Sequence, residues 1–137
     1  MQPDDSPDLA RFLRGELDPH AFTHREHVRM AFELLRRHEF AESLTHCSRA
    51  LRVMLAKAGR PEAFNLTVTL AFLSLISERM LRAEASDFET FARANPDLLG
   101  KSILARWYRP QRLGCEAARH TFLMPDPAWD EPAPLPD

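Results

Sequence analysis

The stretch from Pro61 to Ala85 constrains the chain most, because apolar residues occupy nearly every side of it over its first turns. A helix that is apolar all round cannot lie on a surface with one face in water, so other elements must enclose it. Gly59 ends whatever precedes it, and Pro61 suits a first-turn position. The segment is therefore expected as the buried central helix, about 61–85, of an all-α fold. No alternating strand pattern of convincing length competes with that reading.

The helices that enclose it are legible on both sides. Thr23-His24-Arg25-Glu26 is a capping box opening a helix that runs to His38, with Phe22 at the staple position over His27. At 100° per residue, Val28, Ala31, Leu34 and Leu35 fall within about 80° of one face, together with His24, His27 and His38. A third helix over about 40–58 has Leu44, Cys47, Leu51, Leu55 and Ala58 as its buried stripe, with His46 turned to water. Ser6 and Pro7 start a short first helix whose stripe is Leu9, Phe12 and Leu13, and Leu17–His20 is a turn. Ser86-Asp87-Phe88-Glu89 is a second capping box, opening a short helix to Ala94 that Asn95-Pro96 breaks. Short turns and a last helix over 115–122 follow. The expectation is a compact bundle of about five to seven helices in a single domain, 1–124. The segment 125–137, proline-rich and acidic, is expected as an extended or disordered tail.

Composition narrows the function classes. At 137 residues with 45% hydrophobic content, the chain supports one core without disulfide or metal scaffolding. A net charge of -2 carries no general footprint for nucleic acid or an anionic membrane. The opening MQPDDSPDLARF lacks the apolar core of a signal peptide, and the most apolar run, Leu66–Ile76, is about half of a membrane span. Cys47 and Cys115 have no short metal-binding spacing and read as packing residues. A soluble, cytoplasmic protein is expected, with neither nucleic acid nor membrane as partner.

Histidines on a buried face are the one feature that suggests chemistry. His24 and His27, at i and i+3, could serve as acid–base groups toward an organic ligand, ligate one metal ion, or be core histidines bonded to neighbouring helices. A metal would need a further carboxylate or histidine beside the pair, and His20 is the sequence-local candidate; no metal ligand set is assigned. His38 lies about 16 to 21 Å further along the axis, at 1.5 Å per residue, too far to share an ion. On the central helix Asn65, Thr69 and Arg79 interrupt the apolar surface, while Thr67, Ser74 and Glu78 mark the side nearer water. An inward Arg79 needs a carboxylate, with Glu33, Glu78 or Glu84 as structural partners and a ligand's acid group as a functional one. The basic segment Lys101, Arg106, Arg109, Arg112 and Arg119, interleaved with Trp107 and Tyr108, reads as a solvated edge neutralised by tail carboxylates.

FTHREHVRMAF (22–32), FNLTVTLAF (64–72) with Glu78-Arg79-Met80, and Tyr108-x-Pro110-x-Arg112-Leu113 resemble a small bacterial family of uncharacterised all-helical proteins. The resemblance covers most of residues 20–125. Relatives carry a Phe-Thr-His-x-x-His opening and a Tyr-His-Glu-Thr-x-Thr motif on the central helix. His24 and His27 match the opening, and Thr67 and Thr69 match the two threonines. Asn65 and Leu66 stand where the family has His and Glu. The resemblance implies that these two helices pair.

Two function classes follow. The first is a small-molecule site between the 23–38 and 61–85 helices, lined by Phe22, His24, His27, Asn65, Thr69 and Arg79. It would suit a small enzyme of bacterial specialised metabolism with His24 or His27 as general acid–base, no particular cofactor being implied. The second is a non-catalytic helical interaction domain that binds another protein or pairs as a homodimer, with structural histidines. A His-ligated metal is a third reading. The first needs a cleft reaching both histidines, the second a closed core and an exposed apolar patch.

Overall fold

The computed structural model describes residues 7–82 and 85–127, and the expected Ser6 cap, Glu84 and the tail beyond Pro127 lie outside them. The described chain is all-α. Its helices are α1 (Pro7–Leu13), α2 (His24–Arg37), α3 (Phe40–Lys57), α4 (Leu66–Arg82), α5 (Phe88–Ala94), α6 (Pro110–Leu113) and α7 (Glu116–His120). Short 3-10 turns over Pro19–Ala21, Pro61–Ala63, Pro96–Leu99 and Lys101–Arg106 join them. Among the described residues no helix is long and apolar enough to cross a membrane.

Helix α2 starts where the capping box puts it: the Thr23 hydroxyl accepts from the Glu26 N–H at 3.3 Å. It buries Val28, Met30, Ala31, Phe32 and Leu34, a wider stripe than its periodicity suggested, because it is gripped on several sides. Phe32 stacks on Phe91 of α5 at 4.8 Å between centroids. The polar face is also tied down. Arg29 reaches Asp8 of α1 at 2.7 Å, and Arg25 donates to both carboxylate oxygens of Glu89 in α5 at 2.8 Å.

Helix α4 packs against α2, α3 and α7. The continuous helix expected from Pro61 is instead divided. Pro61–Ala63 forms a separate 3-10 turn, and Asn65 starts α4 by accepting the Val68 N–H at 3.0 Å. Asn65 also donates to the Leu113 carbonyl at 2.7 Å, which holds α6 over the start of α4. The face expected nearer water is covered at its upper end. Thr67 is fully buried, donates to the Thr121 carbonyl at 2.7 Å and accepts the Leu123 N–H at 3.1 Å. A threonine hydroxyl that both donates and accepts satisfies two backbone groups of the segment after α7, and this brings the C-terminal segment across α4.

Two smaller boundaries move for the same kind of reason. Asp87, one residue after the expected Ser86, caps α5 by accepting the Thr90 N–H at 2.8 Å. The chain after Leu123 is anchored as far as Asp126, whose N–H donates to the Trp107 carbonyl at 3.1 Å and whose carboxylate accepts the Arg109 N–H at 2.8 Å. At the other end Gly15, with φ of 69°, passes so close to Val53 of α3 that a methyl group there would collide with its side chain.

Replacing Thr67 with valine keeps the shape and removes both hydrogen bonds, leaving the Leu123 N–H and the Thr121 carbonyl without partners. Thr67→Val is expected to cost about 1–3 kcal/mol in urea denaturation. A loss below about 0.5 kcal/mol would show that the C-terminal segment is not held through this hydroxyl.

Candidate ligand-binding site

A cavity of about 590 Å³ opens between α2, α3 and α4. Its walls are mostly apolar, with Phe22, Val28, Leu51, Met54, Phe64 and Ile76 among them. The facing positions Ala31, Cys47 and Thr69 carry side chains too small to fill the space. This accounts for a feature of α4 that its composition alone does not. Val68 and Phe72 are only half-buried on an apolar helix, because they border a cavity rather than a neighbouring helix. Five of the expected site residues line it: Phe22, His24, His27, Asn65 and Thr69.

The two histidines are set differently. His24 Nε2 lies 3.1 Å from the Leu98 carbonyl, which can only accept, so Nε2 carries the proton. That leaves Nδ1 as the free lone pair of the neutral ring. The ring stands edge-on to Phe72 at 4.9 Å. His27 lies against Phe22 at 4.4 Å between centroids, and Phe22 in turn stacks on Phe12 of α1 at 5.4 Å. His27 is exposed at the cavity rather than buried on the core face as its helical phase suggested, although protein atoms crowd its ring. That surrounding density pushes its pKa down to about 4, helped by the charges of His24 and Lys101. Burial also lowers the pKa of His24, against the Leu98 hydrogen bond that raises it. Both shifts favour the neutral form of the ring.

Other expected residues are engaged in structure. Asn65 is occupied by its cap and by Leu113, and the Thr69 hydroxyl donates to the Asn65 carbonyl at 2.8 Å, so both shape the wall more than they offer free polar groups. Arg79 does not reach the cavity. It forms a paired contact with Asp97 at 2.9 and 2.8 Å and donates to the Asn95 side chain at 2.9 Å. Asp97 takes the place expected of Glu33, Glu78 or Glu84, and the guanidinium holds its pKa at about 2. The consequence for the site is indirect. Arg79 fixes the 95–98 turn, whose Leu98 carbonyl orients His24.

Lys101 is the cavity residue that sequence reasoning missed, having been assigned to a solvated edge. It is exposed, forms no ion pair among the described residues, and its charge is felt by both histidines. Its position depends on the turns after α5 folding back over α2, a long-range event with no local signature. Three other basic residues of that segment are committed: Arg106 to Asp97 at 3.4 Å, Arg112 to the Met124 carbonyl at 2.8 Å, and Arg119 to Glu116 at 3.1 Å. The expected metal reading of His24 and His27 gains no third ligand, since among the described residues no further histidine, cysteine or carboxylate joins them. His20 stays in its exposed turn.

The depressed histidine makes stability depend on pH with a fixed sign. His27 has a folded-state pKa of about 4 against an ordinary 6.5, so between these values the unfolded chain binds more protons. The stabilisation is complete above pH 6.5 and is lost as pH falls toward 4. Urea midpoints measured across this range are expected to fall on acidification, and less steeply in His27→Gln. Equal slopes for the two proteins would contradict the assignment.

No protein-family model matches this chain, and neither a curated protein nor a solved structure is significantly similar to it. What the site can do is therefore read from its own geometry.

Proposed function

We propose that this protein binds a small, largely apolar organic molecule that carries a carboxylate or similar acid group, in the cavity between α2, α3 and α4. The observation that carries the reading is a cavity of about 590 Å³ that reaches both histidines and has Lys101 at its edge. That volume is in the range of pockets that enclose small ligands, and its mix of apolar wall and few polar groups is the usual one. The apolar part would lie among Leu51, Met54, Val68 and Ile76. Lys101 would meet the acid group, and the neutral His24 and His27 would hydrogen-bond to it or to a neighbouring carbonyl. Small size and a buried apolar body favour burial-driven affinity, with the lysine supplying selection.

Where the bound molecule has a proton to give, His24 is the acceptor, because its Nδ1 lone pair is free and its ring is fixed through Nε2. His27 is a poor proton donor at pH 7 with a pKa of about 4 and serves as an orienting group. The interaction-domain reading has less behind it. The large exposed apolar side chains among the described residues are five, Leu13, Val53, Leu81, Trp107 and Met124, drawn from α1, α3, α4 and the segment after Lys101.

Calorimetric titration of untagged protein with medium-chain and aryl carboxylates, each paired with its neutral amide, tests the reading. A binding carboxylate is expected to lose about tenfold or more in Lys101→Ala while its amide is little changed. Both should fail to bind Val68→Trp, whose indole fills the cavity. Binding that survives Val68→Trp would overturn the proposal. So would an absence of binding across the panel together with no co-purified small molecule in native mass spectrometry.

A further inference from the structure

We propose that His38, Glu42 and His46 form a binding site for a divalent transition-metal ion, Zn2+ foremost, at the junction of α2 and α3. One ligand atom from each of the three side chains lies within 4.8 Å of the other two. The arrangement has a simple origin. Glu42 and His46 are four residues apart on α3 and share a face. His38 is the residue that ends α2, with extended backbone at φ -132° and ψ 156°, and the next residue caps α3. That sharp junction is pinned by Ser43, whose N–H donates to the Glu39 carbonyl at 2.9 Å and whose hydroxyl donates to the His38 carbonyl at 3.4 Å. The result brings the His38 ring to 5.0 Å from the His46 ring, between centroids.

The chemistry of the donors fits the ion. Two imidazoles and one carboxylate are a recognised zinc set that leaves a fourth position for water, with ligand distances of about 2.0–2.2 Å. Donors around a tetrahedral ion at such distances are about 3.3 Å apart, so closing the set requires a contraction of at most about 1.5 Å. Side-chain rotation can supply this, because among the described residues none of the three side chains is held by a hydrogen bond or ion pair. His38 and His46 are half-buried and Glu42 is exposed, so the open position faces solvent. None of the three borders the cavity. The site is therefore independent of the proposed ligand pocket, and the ion's effect would be to fasten the end of α2 to the first turns of α3, stabilising the fold by linkage.

The test is calorimetric titration of the full untagged chain with ZnCl2, backed by the visible spectrum of the Co2+ form. One equivalent of Zn2+ is expected, with a rise in melting temperature and a tetrahedral Co2+ spectrum. His46→Gln and Glu42→Gln should each weaken binding about tenfold or more, and His38→Gln likewise. The double variant His24→Ala/His27→Ala and the single His120→Ala, which removes the separate His120–Glu116 contact at 3.2 Å, should bind as the parent does. Should His38→Gln fail to fold by circular dichroism, the two α3 variants decide alone. Absence of stoichiometric zinc binding would overturn the proposal. So would binding that survives His46→Gln and Glu42→Gln, or binding that is lost in His24→Ala/His27→Ala.

Discussion

The enclosure of α4 governs the rest of the structure. A helix with apolar residues on nearly every side of its first turns needs cover on several sides, and α2, α3 and α7 supply it, leaving Glu78, Leu81 and Arg82 at the far end exposed. α7 is five residues long and could not hold that position on its own apolar contacts. The buried Thr67 hydroxyl, bonded to the backbone on both sides of Phe122, fastens this segment across the helix. On the opposite side α2 and α3 approach with Ala31 and Cys47 facing Thr69 of α4, and the space left over is the cavity. The site is thus what remains when a largely apolar helix meets neighbours across small side chains.

Electrostatics at the site follow from the same packing. Density around His27 disfavours its charge, and Lys101, placed by the turns after α5, adds to that effect. The bonded pair Arg79–Asp97 holds those turns against α4, and Leu98 between them is wholly buried. In this way a salt bridge with no part in the cavity fixes the carbonyl that selects the His24 tautomer. Two imidazoles biased toward their neutral form lie beside Lys101, which has no ion pair among the described residues, so the proposed site carries a single full charge.

The fold was largely legible in the chain because its signals are local. Thr23 caps α2 where its capping box said, and Phe22 covers His27 as the staple position required. Failures share a cause: they depend on residues distant in sequence. Thr67 has the hydroxyl of a surface residue until the C-terminal segment arrives. Arg79 finds Asp97 in a turn whose path no periodicity describes. Lys101 sits in a basic stretch in which Arg106, Arg112 and Arg119 are held by carboxylates or a carbonyl, and only the folded chain separates it from them. His46 was assigned to solvent on helical phase alone, yet His38 lies beside it because the chain turns sharply between α2 and α3. Asn65, expected as a pocket residue, is in use as the α4 cap.

The proposed binding depends on the accessible, mainly apolar cavity between α2, α3 and α4. Xenon enters such cavities without needing the natural ligand, and methyl NMR under xenon pressure reads its location. Saturable shifts are expected at methyl groups that line the cavity, among them those of Ala31, Leu51, Met54, Val68 and Ile76, with Leu9 and Leu104 unmoved. Shifts that are absent, or spread evenly over the core, would mean that these helices close on one another and that no such cavity exists.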